Sequence, residues 1–220
     1  MHLGEDVVLD GRALVDKVLR GRGGFCYELN GAFAQLLTAL GYRVSLLAGR
    51  VKGPDGTFGI PFDHLALGVQ TADGSGPFLV DIGFGRNSHY PLRLTERGDQ
   101  QDGAGVFRIA GTEGGDLDVI KDGEVQYRLE QRPRELADFE SGSWWHRTSP
   151  KSPFTQSLIC SRLTPAGGRV TLSGRTLVTT GPDGRTERTL AGAEVLTAYR
   201  EHFGMALDRV PELREAAPAG

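Results

Sequence analysis

Several features that would point to particular protein classes are missing from this chain. Its two cysteines, Cys26 and Cys160, are too few and too far apart for the framework of a disulfide-rich secreted domain. No cluster of cysteine and histidine has the spacing of zinc ligands. The net charge of −3 does not suggest a surface for nucleic acid or for an anionic membrane. No apolar run reaches the roughly 18 residues that a membrane-spanning helix needs.

A secretory signal is also missing from the start of the sequence. The first residues include Glu5, Asp6 and Asp10 and show no basic segment followed by an apolar one. We therefore expect a cytoplasmic protein. With 220 residues and a mean hydropathy of −0.27, the chain is long enough to bury a sizeable core in one or two domains.

The most informative segment is 22–30, with the sequence RGGFCYELN. The apolar residues that follow recur at helical spacing and predict a helix that begins near Cys26 and ends at Gly41; they are Phe25, Leu29, Phe33, Leu36, Leu37 and Leu40. Cys26 then lies in the first helical turn. The helix dipole and the free N–H groups of that turn favour a thiolate, which is the form of cysteine that attacks acyl groups.

A histidine and an aspartate are predicted to face each other on a nearby hairpin. Residues 64–69 and 77–82 are typical of strands, and the turn-rich segment 71–76 joins them. If the loop is centred between Ala72 and Asp73, antiparallel pairing places His64 opposite Asp81 on one face of the sheet. An aspartate in that place orients the imidazole, which then accepts the thiol proton.

Each of these residues also has a simpler interpretation. A single cysteine is most often a small buried hydrophobic residue. A histidine at a strand end is usually structural, and Asp81 before Ile82 and Gly83 is able to cap a turn. The combination of the three on a helix start and two neighbouring strands is what favours a Cys-His-Asp nucleophile.

The rest of the chain is predicted to form short helices and strands. Asp10 is a candidate N-cap for a helix from Arg12 to Leu19, with Leu14, Val15, Val18 and Leu19 on one face. Short strands with intervening turns predict a barrel or sandwich. The Ser- and Pro-rich segment 141–157 is interpreted as a crossing loop. Four further strands and a helix over 193–203 complete the chain.

These motifs together resemble the arylamine N-acetyltransferases over nearly the whole chain. The matching segments are RGG-x-C-x-E-x-N at 22–30, His64, 80–85 followed by Pro91-Leu92, 149–154 and 202–204. The resemblance implies an α+β fold in three parts. These are a cysteine-protease-like helical segment (1–42), an antiparallel β-barrel (43–148) and a C-terminal α/β lid (149–220).

The resemblance also implies roles for individual residues. Cys26 would be the acyl-accepting nucleophile, His64 its base and Asp81 the residue that orients the histidine. Three supporting residues would hold the loop and the neighbouring helices, namely Arg22, Glu28 and Asn30. The remaining implied positions line the cleft and bind the donor; they are Phe25, Gly83, Phe84, Gly85 and Phe203. No metal is implied.

The implied reaction is a ping-pong acetyl transfer from acetyl-CoA, through a cysteine thioester, to an arylamine or arylhydrazine. Acetyl-CoA is the acyl donor, and no permanently bound cofactor, nucleic acid or membrane is expected as a partner. Three alternatives stay open: an amide synthase that closes a macrolactam from a polyketide acyl chain and an aromatic amine, a Cys-His-Asp hydrolase, or an inactive truncated relative. The acceptor amine, the acyl chain length and the oligomeric state are not given by the sequence.

The start of the chain departs from the family pattern. The family normally has a few dozen further helical residues before the point that corresponds to Met1. We therefore expect an N-terminally shortened member, or a start assigned too late.

Overall fold

The computed structural model describes residues 2–3, 5–85 and 88–213. These residues form two compact units. The larger unit spans Val8–Ser143, and the smaller combines the described residues before Val8 with those from Trp144 onward. The division into three domains stays a prediction. Within the described residues, no helix has both the length and the apolar character needed to cross a membrane.

Five α-helices and one short 3₁₀ helix (Leu136–Phe139) occur in the described residues: α1 Gly11–Leu19, α2 Cys26–Ala39, α3 Glu140–Thr148, α4 Pro153–Gln156 and α5 Gly192–Phe203. Asp10 caps α1 as predicted, because its Oδ1 accepts hydrogen bonds from the amides of Arg12 and Ala13, both at 3.1 Å. Helix α2 begins at Cys26 and is followed by Gly41 at φ +90°, which confirms the predicted start and end.

The larger unit is built around one antiparallel sheet of eight strands in the order β4-β3-β2-β1-β8-β7-β6-β5, nearly closed into a barrel. The strands are β1 Arg43–Val51, β2 His64–Gln70, β3 Phe78–Val80, β4 Leu92–Arg93, β5 Gln100–Asp102, β6 Gly105–Gly111, β7 Leu117–Lys121 and β8 Glu124–Arg134. The smaller unit has a second sheet, β12-β11-β10-β9, formed by β9 Ile159–Leu163, β10 Arg169–Ser173, β11 Thr176–Gly181 and β12 Gly184–Thr189. The α+β class with an antiparallel barrel is confirmed.

Strand β2 is buried on both of its faces. One face contributes Ala66 to the barrel interior, beside Leu79, Ile109 and Leu129. The other face carries Leu65, Leu67 and Val69, which pack with Tyr27 and Ala34 of α2. Helix α2 therefore covers the outside of the barrel wall, and its first turn lies beside the end of β2 where His64 begins the strand.

One prediction about local structure is wrong. Segment 141–157 is not a loop, because it contains most of α3 and all of α4. Gly142 allows close packing within α3 rather than a turn, since a Cβ there would lie 2.4 Å from the Phe62 carbonyl oxygen.

In helix α1 only Leu14 is buried, whereas Val18 and Leu19 are 48% and 79% exposed. The nine-residue helix meets α2 at Leu14, where a Cβ on Gly31 would lie 2.6 Å from Leu14 Cδ1.

The barrel interior should dominate the stability of the larger unit. Leu129 is fully buried there, so Leu129→Ala is expected to lower the free energy of unfolding by about 2 to 5 kcal/mol through lost burial and a residual cavity. Leu36 on α2 is 52% exposed, and Leu36→Ala is the matched control, expected to change it by no more than about 0.5 kcal/mol. Urea unfolding followed by far-ultraviolet circular dichroism measures both. Equal losses from the two variants would contradict a core centred in the barrel.

Candidate active site

Cys26 is the first residue of α2 and is 4% exposed. The turn before it is held by Glu28, whose Oε2 accepts a hydrogen bond from the Phe25 amide at 3.3 Å and whose Oε1 forms an ion pair with Lys17 of α1. Gly24 permits this arrangement, because a Cβ there would lie 2.5 Å from Glu28 Oε2. The cysteine is thus fixed at the positive end of a helix dipole.

His64 and Asp81 are hydrogen-bonded, with 2.7 Å between Nε2 and Oδ2, but not through the predicted register. The hairpin pairs Leu67 with Val80 and Val69 with Phe78, so the paired numbers sum to 147 rather than 145. Continued by one step, this register places Asp81 opposite Ala66 and diagonal to His64. A shift of two residues keeps every side chain on its original face, whereas a shift of one would have separated the pair.

The Asp81 carboxylate is the most heavily bonded group of the site. It is 9% exposed and accepts at least five hydrogen bonds. Oδ1 accepts from Asn30 Nδ2 (2.9 Å) and from the amides of Gly83 (2.9 Å) and Phe84 (3.1 Å); Oδ2 accepts from His64 Nε2 (2.7 Å) and the Tyr127 hydroxyl (3.0 Å). Asn30 also donates to the Leu65 carbonyl at 2.6 Å and accepts from the Ile82 amide at 2.9 Å.

These contacts set the charge state of the pair. Burial alone would raise the pKa of Asp81, but the neighbouring His64 and the hydrogen bonds to the carboxylate hold that pKa below its ordinary value of 3.8. Burial alone would lower the pKa of His64, but the charges and hydrogen bonds of Asp81 and Cys26 raise it from 6.5 to about 10. With these pKa values, Asp81 is ionised and His64 is protonated at neutral pH. Burial and Asp81 also raise the pKa of Tyr127 above 10, so its hydroxyl stays a donor.

Cys26 lies beside the same imidazole. Its interaction with His64 is one of the causes that raise the pKa of that histidine. The turn after β3 closes on the same point, because a Cβ on Gly83 would lie 2.6 Å from Cys26 Cα and 2.9 Å from its Cβ. Only glycine fits there without displacing the first turn of α2. The larger unit thus brings Cys26, His64 and Asp81 together, with His64 bonded to Asp81 and interacting with Cys26.

Comparisons with known proteins place the chain in a family. A family model described as N-acetyltransferase matches residues 1–211. The arylamine N-acetyltransferase of Mycobacterium tuberculosis is 34% identical over 206 residues, which cover 90% of this chain and 72% of that protein. The chain belongs to the arylamine N-acetyltransferase family. It is accordingly assigned as an acyltransferase.

Solved structures of this family have the same fold. The Mycobacterium marinum arylamine N-acetyltransferase in complex with CoA has a TM-score of 0.82 and 32% identity, with 92% of this chain and 78% of that one covered. The Salmonella typhimurium enzyme has a TM-score of 0.84 and 26% identity, with 98% and 80% covered. The likeness therefore extends through both compact units.

Most of the other predicted site residues of this arylamine N-acetyltransferase family member lie near Cys26, His64 and Asp81 in the sequence or in space, whereas one lies in the smaller unit. Phe84 contacts the His64 ring, with 5.4 Å between ring centroids, and Phe25 contacts Tyr27 at 4.9 Å. Gly85 ends the described turn after Asp81. Arg22 is half-buried in the loop before α2. Phe203 belongs to the core of the smaller unit, so its role in a cleft stays a prediction.

Sequence reasoning missed Tyr127. It lies on β8 and points into the barrel beside Leu129, with its ring 5.0 Å from the His64 ring. It belongs to no short motif, and the alternation of Val125, Tyr127 and Leu129 predicts only an inward-facing side chain. Among the described residues, no group of three or more His, Cys, Asp or Glu side chains is arranged to hold a metal ion.

Replacing Asp81 should change the titration of His64. In the parent chain the folded-state pKa of about 10 lies above the ordinary value of 6.5. His64 therefore stabilises the fold below about pH 6.5, and this stabilisation disappears as the pH rises through about 10. In Asp81→Asn the aspartate charge is lost, so we expect His64 to titrate at a distinctly lower pH.

The measurement is an NMR titration of the His64 ring nitrogens. Asp99→Asn removes an exposed carboxylate and should leave the His64 titration unchanged. A His64 titration that is the same in Asp81→Asn and in the parent chain would contradict the assigned electrostatics.

Proposed function

We propose that this chain transfers an acetyl group from acetyl-CoA, through a thioester on Cys26, to the nitrogen of an arylamine or arylhydrazine. The observation that carries the proposal is the hydrogen bond between His64 and Asp81, with the His64 imidazole also interacting with Cys26 at the N-terminus of α2. The family to which the chain belongs supports the same reaction class. The CoA bound to the Mycobacterium marinum relative supports acetyl-CoA as the donor, a substrate rather than a resident cofactor.

Asp81 would set the tautomer of the histidine. Since Nε2 faces the carboxylate at 2.7 Å, Nδ1 is the nitrogen left to exchange a proton with the sulfur. An imidazolium at that position stabilises the anionic form of a neighbouring sulfur. Asp81 itself stays ionised throughout and stabilises the imidazolium.

In the first half-reaction the Cys26 thiolate attacks the thioester carbonyl of acetyl-CoA. A bond forms between Sγ and the acyl carbon, and the bond from that carbon to the CoA sulfur breaks. The imidazolium of His64 gives its proton to the leaving CoA thiolate. Amide N–H groups in the first turn of α2 would stabilise the tetrahedral oxyanion, helped by the helix dipole.

In the second half-reaction the amine nitrogen attacks the acetyl-cysteine. His64, now neutral, takes the proton that the amine loses, and the bond from Sγ to the acyl carbon breaks. The products are the acetylated amine and the original pair of imidazolium and thiolate. Because CoA leaves before the amine reacts, the kinetics are expected to be ping-pong.

The test is intact-mass spectrometry after brief mixing with acetyl-CoA. We expect the parent chain to gain one acetyl group and to lose it when aniline or phenylhydrazine is added. Cys26→Ala should gain none. Cys160→Ala is the matched control, since Cys160 lies on β9 in the smaller unit, and it should be acetylated like the parent chain.

Other outcomes would favour the alternatives. Release of free acetate at the same rate with and without amine would indicate a hydrolase. An adduct formed only with a longer, polyketide-like acyl thioester would indicate an amide synthase. No adduct from any thioester in the parent chain would contradict the proposal and indicate an inactive relative.

A further inference from the structure

Tyr27 follows Cys26 directly and binds the segment that leads into His64. Its side chain is fully buried. The hydroxyl donates to the Phe62 carbonyl at 2.6 Å and also lies 3.0 Å from the Asp63 carbonyl. Burial, with smaller contributions from Cys26 and Asp63, raises the pKa of this phenol far above 10. The hydroxyl therefore stays a hydrogen-bond donor under all ordinary conditions.

Helix α2 contacts the backbone on both sides of His64. Before the histidine, Tyr27 binds the carbonyls of Phe62 and Asp63; after it, Asn30 Nδ2 binds the Leu65 carbonyl at 2.6 Å. Both donors lie within four residues of Cys26 along the helix, which is about one turn. The position of His64 relative to the sulfur is thus fixed by side chains of the helix that carries the sulfur.

The backbone that Tyr27 holds is in an uncommon conformation. Phe62 has φ +58°, in the left-handed region that a bulky residue rarely adopts. Such a conformation persists only where its surroundings enforce it. The Phe62 ring packs edge-on against Phe139 with 5.5 Å between centroids. From the other side, Gly142 of α3 approaches so closely that a Cβ there would lie 2.4 Å from the Phe62 oxygen and 2.8 Å from the Tyr27 hydroxyl.

We propose that Tyr27 is a positioning residue for the acyl transfer: its hydroxyl holds the left-handed backbone at Phe62 so that the His64 imidazole meets the Cys26 sulfur. The inference rests on the proposed function, in which Cys26 is the nucleophile and His64 exchanges the proton. Tyr27 acts through His64 and does not itself exchange a proton. The Tyr27 hydroxyl hydrogen-bonds to the backbone carbonyls of Phe62 and Asp63, whereas the Tyr127 hydroxyl donates to the Asp81 carboxylate.

The test is the pH dependence of Cys26 alkylation by iodoacetamide, with the modified peptide identified by mass spectrometry. Alkylation needs the thiolate but no acyl donor, so it reports the pair of Cys26 and His64 directly. In Tyr27→Phe we expect the rate below neutral pH to fall by about 5- to 10-fold, as for a lost hydrogen bond to a buried group. The rates of variant and parent should converge at alkaline pH, where any cysteine is ionised.

A second variant disturbs the same contact from the opposite side. Gly142→Ala leaves Tyr27, His64 and Cys26 intact but presses a methyl group against the Phe62 carbonyl and the Tyr27 hydroxyl, and it should slow alkylation in the same pH range. Tyr90→Phe is the matched control, because Tyr90 is 73% exposed, and it should leave the profile unchanged. Alkylation of Cys160 in the same samples checks the reagent, and circular dichroism with thermal melting checks folding.

The outcomes separate the inference from the proposed function. Profiles of folded Tyr27→Phe and Gly142→Ala that overlay the parent profile would overturn the role of Tyr27, whatever acetyl-CoA does. If Tyr27→Phe fails to fold, the Gly142→Ala profile decides. A parent chain that shows the low-pH alkylation and its loss in Tyr27→Phe, yet gains no acetyl group, would support the positioning role and contradict the proposed function.

Discussion

The candidate site depends on the hydrogen bonds that the buried Asp81 carboxylate accepts. Burying a carboxylate costs free energy unless its oxygens accept hydrogen bonds, and this one accepts them from four separate elements. Asn30 comes from α2, His64 from β2, the amides of Gly83 and Phe84 from the turn after β3, and the Tyr127 hydroxyl from β8. If one element moves, a donor is lost from a buried charge, so the carboxylate ties the barrel, the turn and the helix together.

Helix α2 supplies most of the remaining order. Four of its first five residues contact different partners: Cys26 contacts His64 and Gly83, Tyr27 the backbone before His64, Glu28 Lys17, and Asn30 Asp81. The charge of Lys17 matters here, because it balances a carboxylate in the same helical turn as the sulfur. Glycines at 24 and 83 let the loop and the turn approach this helix more closely than any side chain would allow. A short stretch of sequence thus organises a site whose other members lie far along the chain.

Much of this arrangement could be predicted from local patterns, and the reason is physical. The dipole and cap of a helix start depend on neighbouring residues, so the start of α2 at Cys26 and the Asp10 cap of α1 follow from the sequence. The facing of His64 and Asp81 follows from strand alternation, and it tolerates the error of two residues in the register. The geometry of Cys26, His64 and Asp81 fits acyl transfer, and their roles in that reaction are proposals.

Other features depend on contacts that no local pattern encodes. Tyr127 reaches Asp81 from 46 residues away, and its sequence neighbours predict only an inward-facing strand. Strands β4 and β5 have two and three residues and no apolar alternation, so pairing with their neighbours defines them. Helix α3 forms from a segment rich in Ser and Gly, because tertiary packing around Gly142 outweighs weak helix propensity. In each case the decisive partner is distant in the sequence.

The proposed mechanism starts from a Cys26 thiolate beside the His64 imidazolium. The most direct measurement is the ultraviolet absorbance of thiolate in the parent chain at neutral pH, compared with Cys26→Ala. We predict the absorbance of one thiolate that disappears in Cys26→Ala and that persists in Cys160→Ala. Equal absorbance in the parent chain and in Cys26→Ala would show that the sulfur is a neutral thiol, which would contradict the imidazolium–thiolate pair on which the proposed mechanism is built.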